Sequence, residues 1–218
     1  MDTYEKLARL EGCSTIAGVD EVGRGPLAGP VLAAAVVFTD DLMGLGIKDS
    51  KKLSPKRRTE LAREIWRLSP GVGIGVLSNH DIDNSNILKA SLLAMAESVK
   101  GVKGQGGVRV VPDYLFIDGQ YKIKELKIPQ TAIIKGDNLS VSIAAASIIA
   151  KTARDRIMVV LDTIYPGYNF AGNKGYGSRE HMDAIAKIGP SPVHRMSFSF
   201  GGGSVKGKAV KAGGRVNA

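Results

Sequence analysis

The chain has 218 residues, of which 44% are hydrophobic and 23% charged, enough for one well-buried α/β domain and too few for two full domains. The 30 Lys and Arg residues against 21 Asp and Glu give a net charge of +9, which favours a polyanionic partner such as nucleic acid. The single cysteine excludes an internal disulfide, and no signal peptide or membrane-length apolar run is present, so we expect a cytoplasmic protein that does not bind membranes.

The first half of the chain predicts strands and a helix. Apolar stretches between turn residues favour strands over residues 15–21, 30–38 and 71–78. Between the last two strands, Ser54 is placed to cap a helix whose first turn contains Pro55. Apolar residues recur at helical spacing in this helix, so one of its faces is expected to pack on the sheet.

The second half alternates between helical and strand patterns, which predicts parallel pairing of its strands. In chain order, the expected elements are a helix, two strands and two helices, over residues 81–100, 114–118, 130–135, 141–156 and 178–188. Residues 201–218 are rich in Gly and Lys and contain no acid. We therefore predict one domain over residues 1–200, followed by a disordered basic tail.

The first predicted strand ends in the adjacent carboxylates Asp20 and Glu21. Two adjacent acids repel each other, and at the end of a buried segment they are costly unless a cation neutralises them. A divalent metal such as Mg²⁺ is a natural occupant, because it binds carboxylate oxygens and takes phosphates as further ligands. Taken alone, the pair is equally consistent with surface ion-pair partners.

A glycine-flanked arginine follows the acid pair in the order Gly23-Arg24-Gly25. Glycine lets backbone N–H groups approach an oxyanion closely, and the arginine can bind it as a charged fork. The spacing differs from the G-x-G-x-x-G dinucleotide motif, and no G-x-x-x-x-G-K-[ST] occurs in the chain. The loop therefore indicates phosphate chemistry of another kind, with a simple turn as the alternative.

Two further acids follow apolar strands, Asp118 at the end of residues 114–118 and Asp137 shortly after residues 130–135. In an open α/β sheet, ligands bind at the carboxyl ends of the strands. Four converging carboxylates can hold two metals about 4 Å apart, one activating water and one stabilising the leaving oxygen of a phosphoryl displacement. The alternatives are a turn at Asp118 and helix capping by Asp137.

These residues belong to a set of motifs by which the chain closely resembles type 2 ribonuclease H, ribonuclease HII, over residues 16–198. The motifs include Asp20-Glu21-Val22-Gly23-Arg24-Gly25-Pro26, Asp49-Ser50-Lys51-Lys52-Leu53-Ser54, Ile117-Asp118-Gly119, Lys135-Gly136-Asp137, Lys174-Gly175-Tyr176-Gly177 and His194-Arg195. The resemblance implies an α/β, ribonuclease H-like fold, in which helices flank a mixed five-stranded sheet and the C-terminal segment is helical.

The resemblance also implies an activity, a catalytic site and a cofactor. The metal-binding catalytic acids would be Asp20, Glu21, Asp118 and Asp137, with Mg²⁺ or Mn²⁺ in a two-metal site. The enzyme would be an endoribonuclease that hydrolyses the RNA strand of RNA–DNA hybrids. It would also nick duplex DNA on the 5′ side of single embedded ribonucleotides, leaving 3′-hydroxyl and 5′-phosphate ends.

The substrate-binding residues follow partly from the resemblance and partly from charge. By resemblance, the Gly23-Arg24-Gly25 loop inspects the ribonucleotide and Tyr176 lies against the next sugar. Ser50, Lys51 and Lys52 precede a predicted helix and are expected to contact backbone phosphates. The partners that the resemblance implies are RNA–DNA hybrids and ribonucleotide-containing duplex DNA.

Other charged residues and the histidines receive no catalytic role. Lys56, Arg57 and Arg58 are expected to form a solvated helix end. Asp155 lies between two arginines on a buried helix, which favours an ion pair over metal binding. The three histidines lack metal-ligand spacing, so none is assigned to catalysis.

The chain departs from the family pattern at a few positions. Met196 stands where relatives often have a second arginine, and Asn173 stands where histidine is common. The basic tail is not part of the pattern and lacks the peptide, a glutamine with paired aromatics, by which some relatives dock on a sliding clamp. We therefore expect a monomer without a clamp partner.

Two other functions remain open on the residues alone. A structure-selective DNA nuclease on the same fold would use the same acids, and a duplex without any 2′-hydroxyl would separate the two activities. A non-catalytic nucleic-acid-binding module is disfavoured, because uncompensated acids repel phosphate unless a metal is present.

Overall fold

The computed structural model describes residues 3–47 and 53–200 and contains a five-stranded sheet. Its strands are β1 (Ile16–Val22), β2 (Val31–Val37), β3 (Val72–Leu77), β4 (Tyr114–Asp118) and β5 (Gln130–Ile133). They lie in the order β3-β2-β1-β4-β5. Strand β2 is antiparallel to β1 and β3, whereas β4 is parallel to β1 and β5. The expected mixed sheet, with parallel later strands, is confirmed.

Helices cover both faces of this sheet. They are α1 (Thr3–Leu10), α2 (Pro55–Leu68), α3 (Asn79–Asp83), α4 (Ile87–Lys100), α5 (Val141–Ile164), α6 (Phe170–Asn173) and α7 (Arg179–Ile188). Because side chains of a strand alternate between faces, Ala34 and Val36 of β2 pack with α2 and α5, while Ala33 and Ala35 pack with α4. The expected α/β class, with flanking helices and a helical C-terminal segment, is confirmed.

Helix α5 lies directly against β1, and a glycine makes this approach possible. A Cβ on Gly18 would lie 2.1 Å from the carbonyl carbon of Ser142, so a larger residue would displace the helix. The helix begins after Ser140, whose Oγ accepts a hydrogen bond from the Ile143 N–H at 3.2 Å. The fully buried Glu5 of α1 also accepts from the Ser142 N–H, at 3.0 Å. These contacts fix the start of α5 beside the strand that carries the acid pair.

The expected helix over residues 81–100 is wrong in its first part. The chain forms the short helix α3, leaves helical geometry and starts again as α4. Asn86 causes the restart, because it adopts an extended conformation and its side chain accepts from the Lys89 N–H at 2.9 Å. Ser78 caps α3 in the same way, with its Oγ accepting from the Asp81 N–H.

Other differences concern element length and connection. Helix α5 continues to Ile164, beyond the expected end at residue 156. Strand β5 stops at Ile133, shortly before Lys135 adopts a left-handed conformation with φ 57°. The connection over residues 119–129 contains no helix, so the expected alternation fails there although β4 and β5 are parallel.

The C-terminal helices pack onto the loop that follows β1. Ala28 of this loop is buried with Met158 of α5, Phe170 of α6 and Ile185 of α7. The loop between β1 and β2 is therefore part of a separate small core rather than a free turn. No helix in residues 3–47 or 53–200 is long and apolar enough to cross a membrane.

Candidate active site

Three of the four predicted acids line one cavity at the ends of adjacent strands. Asp20 and Glu21 lie near the end of β1, and Asp118 is the last residue of β4. The two strands are parallel, with Val19 opposite Ile117, so both deliver their next residue to the same edge of the sheet. The cavity between these side chains has a volume of about 290 Å³.

Burial and mutual repulsion shape the charge state of this acid group. Asp20 is buried, and burial raises its pKa well above the usual range, with Glu21 and Asp118 adding repulsion. Hydrogen bonds from Ser147 and from the Glu21 N–H, the latter at 2.7 Å, partly counter this rise. Burial also raises the pKa of Glu21, against the opposing effect of Arg24. A cation in the cavity would relieve this repulsion.

The carboxylate oxygens in the cavity are suitable ligands for a hard divalent cation, although the side chains are not close enough together to enclose one. Glu21 Oε2 is buried and has no hydrogen-bond partner within the described residues, which leaves a carboxylate oxygen to serve as a ligand. Among residues 3–47 and 53–200, no group of three or more His, Cys, Asp or Glu side chains is arranged to hold a metal ion. The acids therefore share a cavity but not a closed coordination sphere.

Asp137 lies next to this group on the turn Gly136–Asn138 after β5. The Gly136 N–H donates to Asp118 Oδ1 at 2.7 Å, which ties the turn to the end of β4. Asp137 is buried and accepts from the Asn138 amide at 2.8 Å, and it is not among the residues that line the cavity. Ser140, rather than Asp137, caps α5, so the capping alternative for Asp137 is wrong.

The Gly23-Arg24-Gly25 loop forms the neighbouring wall of the cavity. Gly23 has φ +93°, and a Cβ there would lie 2.3 Å from Arg154 Nε, so both conformation and space require glycine. Arg24 Nη1 contacts Glu21 Oε1 at 3.2 Å, and its side chain remains about half exposed. The loop thus brings a cation to the edge of the acid cavity.

Two fully buried arginines hold this loop by its backbone carbonyls. Arg195 donates from Nη2 to the Gly23 carbonyl at 2.6 Å, from Nη1 to the Arg24 carbonyl at 3.0 Å and from Nε to the Gly29 carbonyl at 3.0 Å. Burial lowers the pKa of Arg195 to about 9, with further repulsion from Arg154. The guanidinium is therefore a charged clamp on the loop at neutral pH.

Arg154 of α5 binds the same loop and links it to a second one. It donates from Nε to the Pro30 carbonyl at 3.0 Å, from Nη2 to the Ala28 carbonyl at 3.1 Å and from Nη1 to the Lys174 carbonyl at 2.9 Å. Burial lowers its pKa to about 10. Arg195 belongs to the His194-Arg195 motif and Arg154 precedes Asp155 in the sequence, but these positions gave no indication that backbone carbonyls were the partners of the two arginines.

Tyr176 also lines the acid cavity. Its side chain is 47% exposed and lines the same cavity as Gly25. A Cβ on Gly25 would lie 3.6 Å from Tyr176 Cε1, so the ring lies beside the loop. The Leu27 N–H donates to the Gly175 carbonyl at 2.7 Å and joins the two segments.

The predicted phosphate contacts Ser50, Lys51 and Lys52, like the basic tail, lie outside the described residues.

Asp155 forms the predicted ion pair, with partners different from its sequence neighbours. Its carboxylate contacts Lys151 Nζ at 2.6 Å and Arg58 Nη2 at 3.3 Å. Arg58 is buried and also donates to the Leu53 carbonyl at 3.3 Å, so its assignment to a solvated helix end is wrong. Lys151 lines the acid cavity, which places this ion pair at the rim of the site.

Comparisons with known proteins agree with this arrangement. Residues 17–200 match the family model described as Ribonuclease HII. The chain is similar to proteins named ribonuclease HII from Geotalea uraniireducens, at 51% identity over 89% of this chain and 87% of that one, and from Geobacter sulfurreducens, also at 51% identity over 89% and 87%.

Solved structures give the same result for the fold. The structure of the PCNA:RNase HII complex from Archaeoglobus fulgidus is similar at a TM-score of 0.71 and 30% identity, covering 85% of this chain and 96% of that one. The ribonuclease H2 structure from Pyrococcus horikoshii has a TM-score of 0.71 at 24% identity, covering 86% of this chain and 95% of that one.

Proposed function

Because the chain belongs to the ribonuclease HII family and is a ribonuclease H that acts on RNA–DNA hybrids, we propose that the acid cavity is its catalytic site. Asp20, Glu21 and Asp118 would hold a divalent metal there, with Asp137 approaching from the adjoining turn. Bound Mg²⁺ or Mn²⁺ supplies activation of water and stabilisation of the leaving oxygen in phosphodiester hydrolysis. The products would be a 3′-hydroxyl and a 5′-phosphate.

The chain's own residues prepare this site in distinct ways. Ser147 and the Glu21 N–H orient the Asp20 carboxylate, and the Gly136 N–H orients Asp118. Arg24, held near Glu21, is placed to bind a phosphate oxygen at the cavity edge. These fixed donors keep the acids in position before substrate arrives, so less reorganisation is needed during the reaction.

We further propose that the enzyme nicks duplex DNA at single embedded ribonucleotides. Groove shape alone cannot report one 2′-hydroxyl, so recognition needs a donor or acceptor at that sugar and a surface for its neighbour. The Gly23-Arg24-Gly25 backbone is held rigid by Arg195 and suits the first task. The exposed ring of Tyr176, beside Gly25, suits the second.

The observation that carries the proposal is the cavity shared by Asp20, Glu21 and Asp118 with the glycine loop and Tyr176. The test is digestion of an end-labelled duplex with one ribonucleotide, with and without Mg²⁺, beside the same duplex made only of DNA. We expect one nick, on the 5′ side of the ribonucleotide, that requires the metal. Equal cleavage of the all-DNA duplex would support the structure-selective nuclease, and binding without cleavage would support the non-catalytic module.

A further inference from the structure

Two histidines outside the acid cavity form a buried pair. His181 of α7 and His194 of the C-terminal turn are almost completely buried, and their Nε2 atoms lie 3.0 Å apart. The ring of Tyr168 packs on His194, with centroids 5.0 Å apart, and the ring of Phe170 packs edge-on against His181 at 5.4 Å. Neither histidine was assigned to catalysis from the sequence, because the two residues lack metal-ligand spacing.

The hydrogen bonds around the pair assign a proton position to each ring. The Ser191 N–H donates to His194 Nδ1 at 2.9 Å, so this nitrogen carries a lone pair; Ser191 Oγ lies at 2.8 Å and the Ser191 carbonyl at 3.3 Å. In neutral His194 the proton is then on Nε2 and is donated to His181 Nε2. His181 must carry its proton on Nδ1, where it donates to the Tyr176 carbonyl at 2.8 Å.

Both rings are neutral at neutral pH, as this pattern requires. Burial and the facing His181 lower the pKa of His194 to about 4, and burial lowers the pKa of His181. The other groups that face the pair are Tyr168, Phe170, Ser191 and Phe200, none of which is charged. The hydrogen bonds therefore run in a single direction, from the Ser191 amide through both rings to the Tyr176 backbone.

We propose that His181 and His194 are positioning residues for Tyr176. Their bonds attach the Tyr176 carbonyl to the C-terminal turn, while the Ser178 N–H, which donates to the same carbonyl at 2.8 Å, holds it only within its own loop. The neighbouring Arg195 clamps the Gly23-Arg24-Gly25 loop from the same turn. One short segment thus aligns the ring of Tyr176 with the loop. This inference rests on the proposed role of Tyr176 in holding a sugar.

The kinetic test uses two matched variants of His181. His181→Asn retains an N–H near the position of Nδ1, whereas His181→Phe retains ring packing but has no donor. We expect His181→Phe to lower kcat/KM on the lone-ribonucleotide duplex by about tenfold, with a smaller loss on an RNA–DNA hybrid. His181→Asn should retain most of the wild-type kcat/KM on the lone-ribonucleotide duplex. In a Tyr176→Ala background, His181→Phe should cause no further loss.

The positioning role would be overturned if kcat/KM fell in both His181 variants in proportion to their loss of melting temperature. It would also be overturned if His181→Phe caused its full loss of kcat/KM in the Tyr176→Ala background. A second readout is independent of activity. Imidazole ¹⁵N shifts should show Nδ1–H in His181 and Nε2–H in His194, with the exposed His80 as reference. Other tautomers would exclude the proposed bonds. If Tyr176→Ala alone cleaves normally, the proposed function of Tyr176 fails, while the ¹⁵N spectrum still decides the hydrogen bonds.

Discussion

At the scale of single residues, the site is defined by acids whose charges oppose folding. The pKa of Asp20 is raised by burial and by its neighbours Glu21 and Asp118, so their ionised forms are unfavourable together. Such a cluster is retained at a cost in stability, which is typical of functional sites. Asp118 is the most informative member to change, because it lines the cavity and receives the Gly136 N–H.

We expect Asp118→Asn to reduce cleavage in Mg²⁺ by at least about a hundredfold, because one ionised ligand is lost. Without metal, its melting temperature should equal or exceed that of the wild type, since repulsion with Asp20 and Glu21 is relieved. Asp40→Asn, at an exposed surface ion pair, is the matched control for activity. Wild-type turnover of Asp118→Asn would remove this residue from the site.

His194 gives a prediction for the pH dependence of stability. Its pKa is about 4 in the folded protein and near 6.5 when unfolded, so the unfolded chain binds more protons between these values. The contribution of neutral His194 is therefore complete above about pH 6.5 and is lost as the pH falls towards about 4. The free energy of unfolding, measured with urea at several pH values, should depend less steeply on pH over this window in His194→Phe than in wild type, because the titration of His194 is removed. Asp20 contributes equally to both proteins and does not affect the comparison. His80→Gln should keep the wild-type slope, and an unchanged slope in His194→Phe would contradict the assignment.

At the scale of elements, the loop between β1 and β2 depends on buried arginines. Arg195 supplies donors to four carbonyls of this loop in a geometry that lysine cannot reproduce. We expect Arg195→Lys to lower the free energy of unfolding by on the order of 2 kcal/mol and to impair nicking at a lone ribonucleotide. Urea unfolding and kinetics measure the two effects. Wild-type stability together with wild-type nicking would show that the loop holds its shape without this clamp.

Elements with strong local signals could be predicted from the sequence, and those fixed by remote contacts could not. Strand β4 ends at Asp118 as predicted, and Ser54 caps α2 as predicted. The break between α3 and α4 was missed because Asn86 lies within an otherwise helical pattern. Helix capping by the Asn86 side chain outweighs that pattern. Helix α1 was missed because it is short, and it is held by its buried Glu5 against the start of α5.

The same division applies to the candidate site. An acid at the end of an apolar strand is visible in a sequence, so Asp20, Glu21 and Asp118 could be expected to meet. The roles of Arg154 and Arg195 could not, because each contacts carbonyls more than a hundred residues away in most of its hydrogen bonds. Backbone carbonyls leave no signature in a sequence. An arginine that binds them in the folded protein therefore cannot be distinguished in the sequence from any other charged residue.

At the scale of the whole molecule, charge is unevenly placed along the chain. Four basic residues and no acid occur in residues 201–218, Lys206, Lys208, Lys211 and Arg215. We expect deletion of residues 201–218 to weaken duplex binding mainly at low salt and to reduce the slope of log K against log salt by up to about 3.6, without moving the cleavage position.

The control for this deletion is the full-length chain with the same four residues changed to glutamine. It should reproduce the reduced slope if charge alone matters, because the length of the chain is kept. Binding measured by fluorescence anisotropy over a salt series gives the slope for each protein. An unchanged slope in both variants would show that these residues do not contact the duplex.

We propose that the glycine loop and Tyr176 read a single ribonucleotide beside the acid cavity. The most direct test compares wild type, Tyr176→Phe and Tyr176→Ala on a duplex with one ribonucleotide and on an RNA–DNA hybrid, with Mg²⁺ or Mn²⁺. Tyr176→Ala should lose at least about tenfold more kcat/KM on the lone ribonucleotide than on the hybrid, and Tyr176→Phe, which keeps the ring, should not. Equal losses on both substrates, or undiminished nicking at the lone ribonucleotide, would contradict the claim.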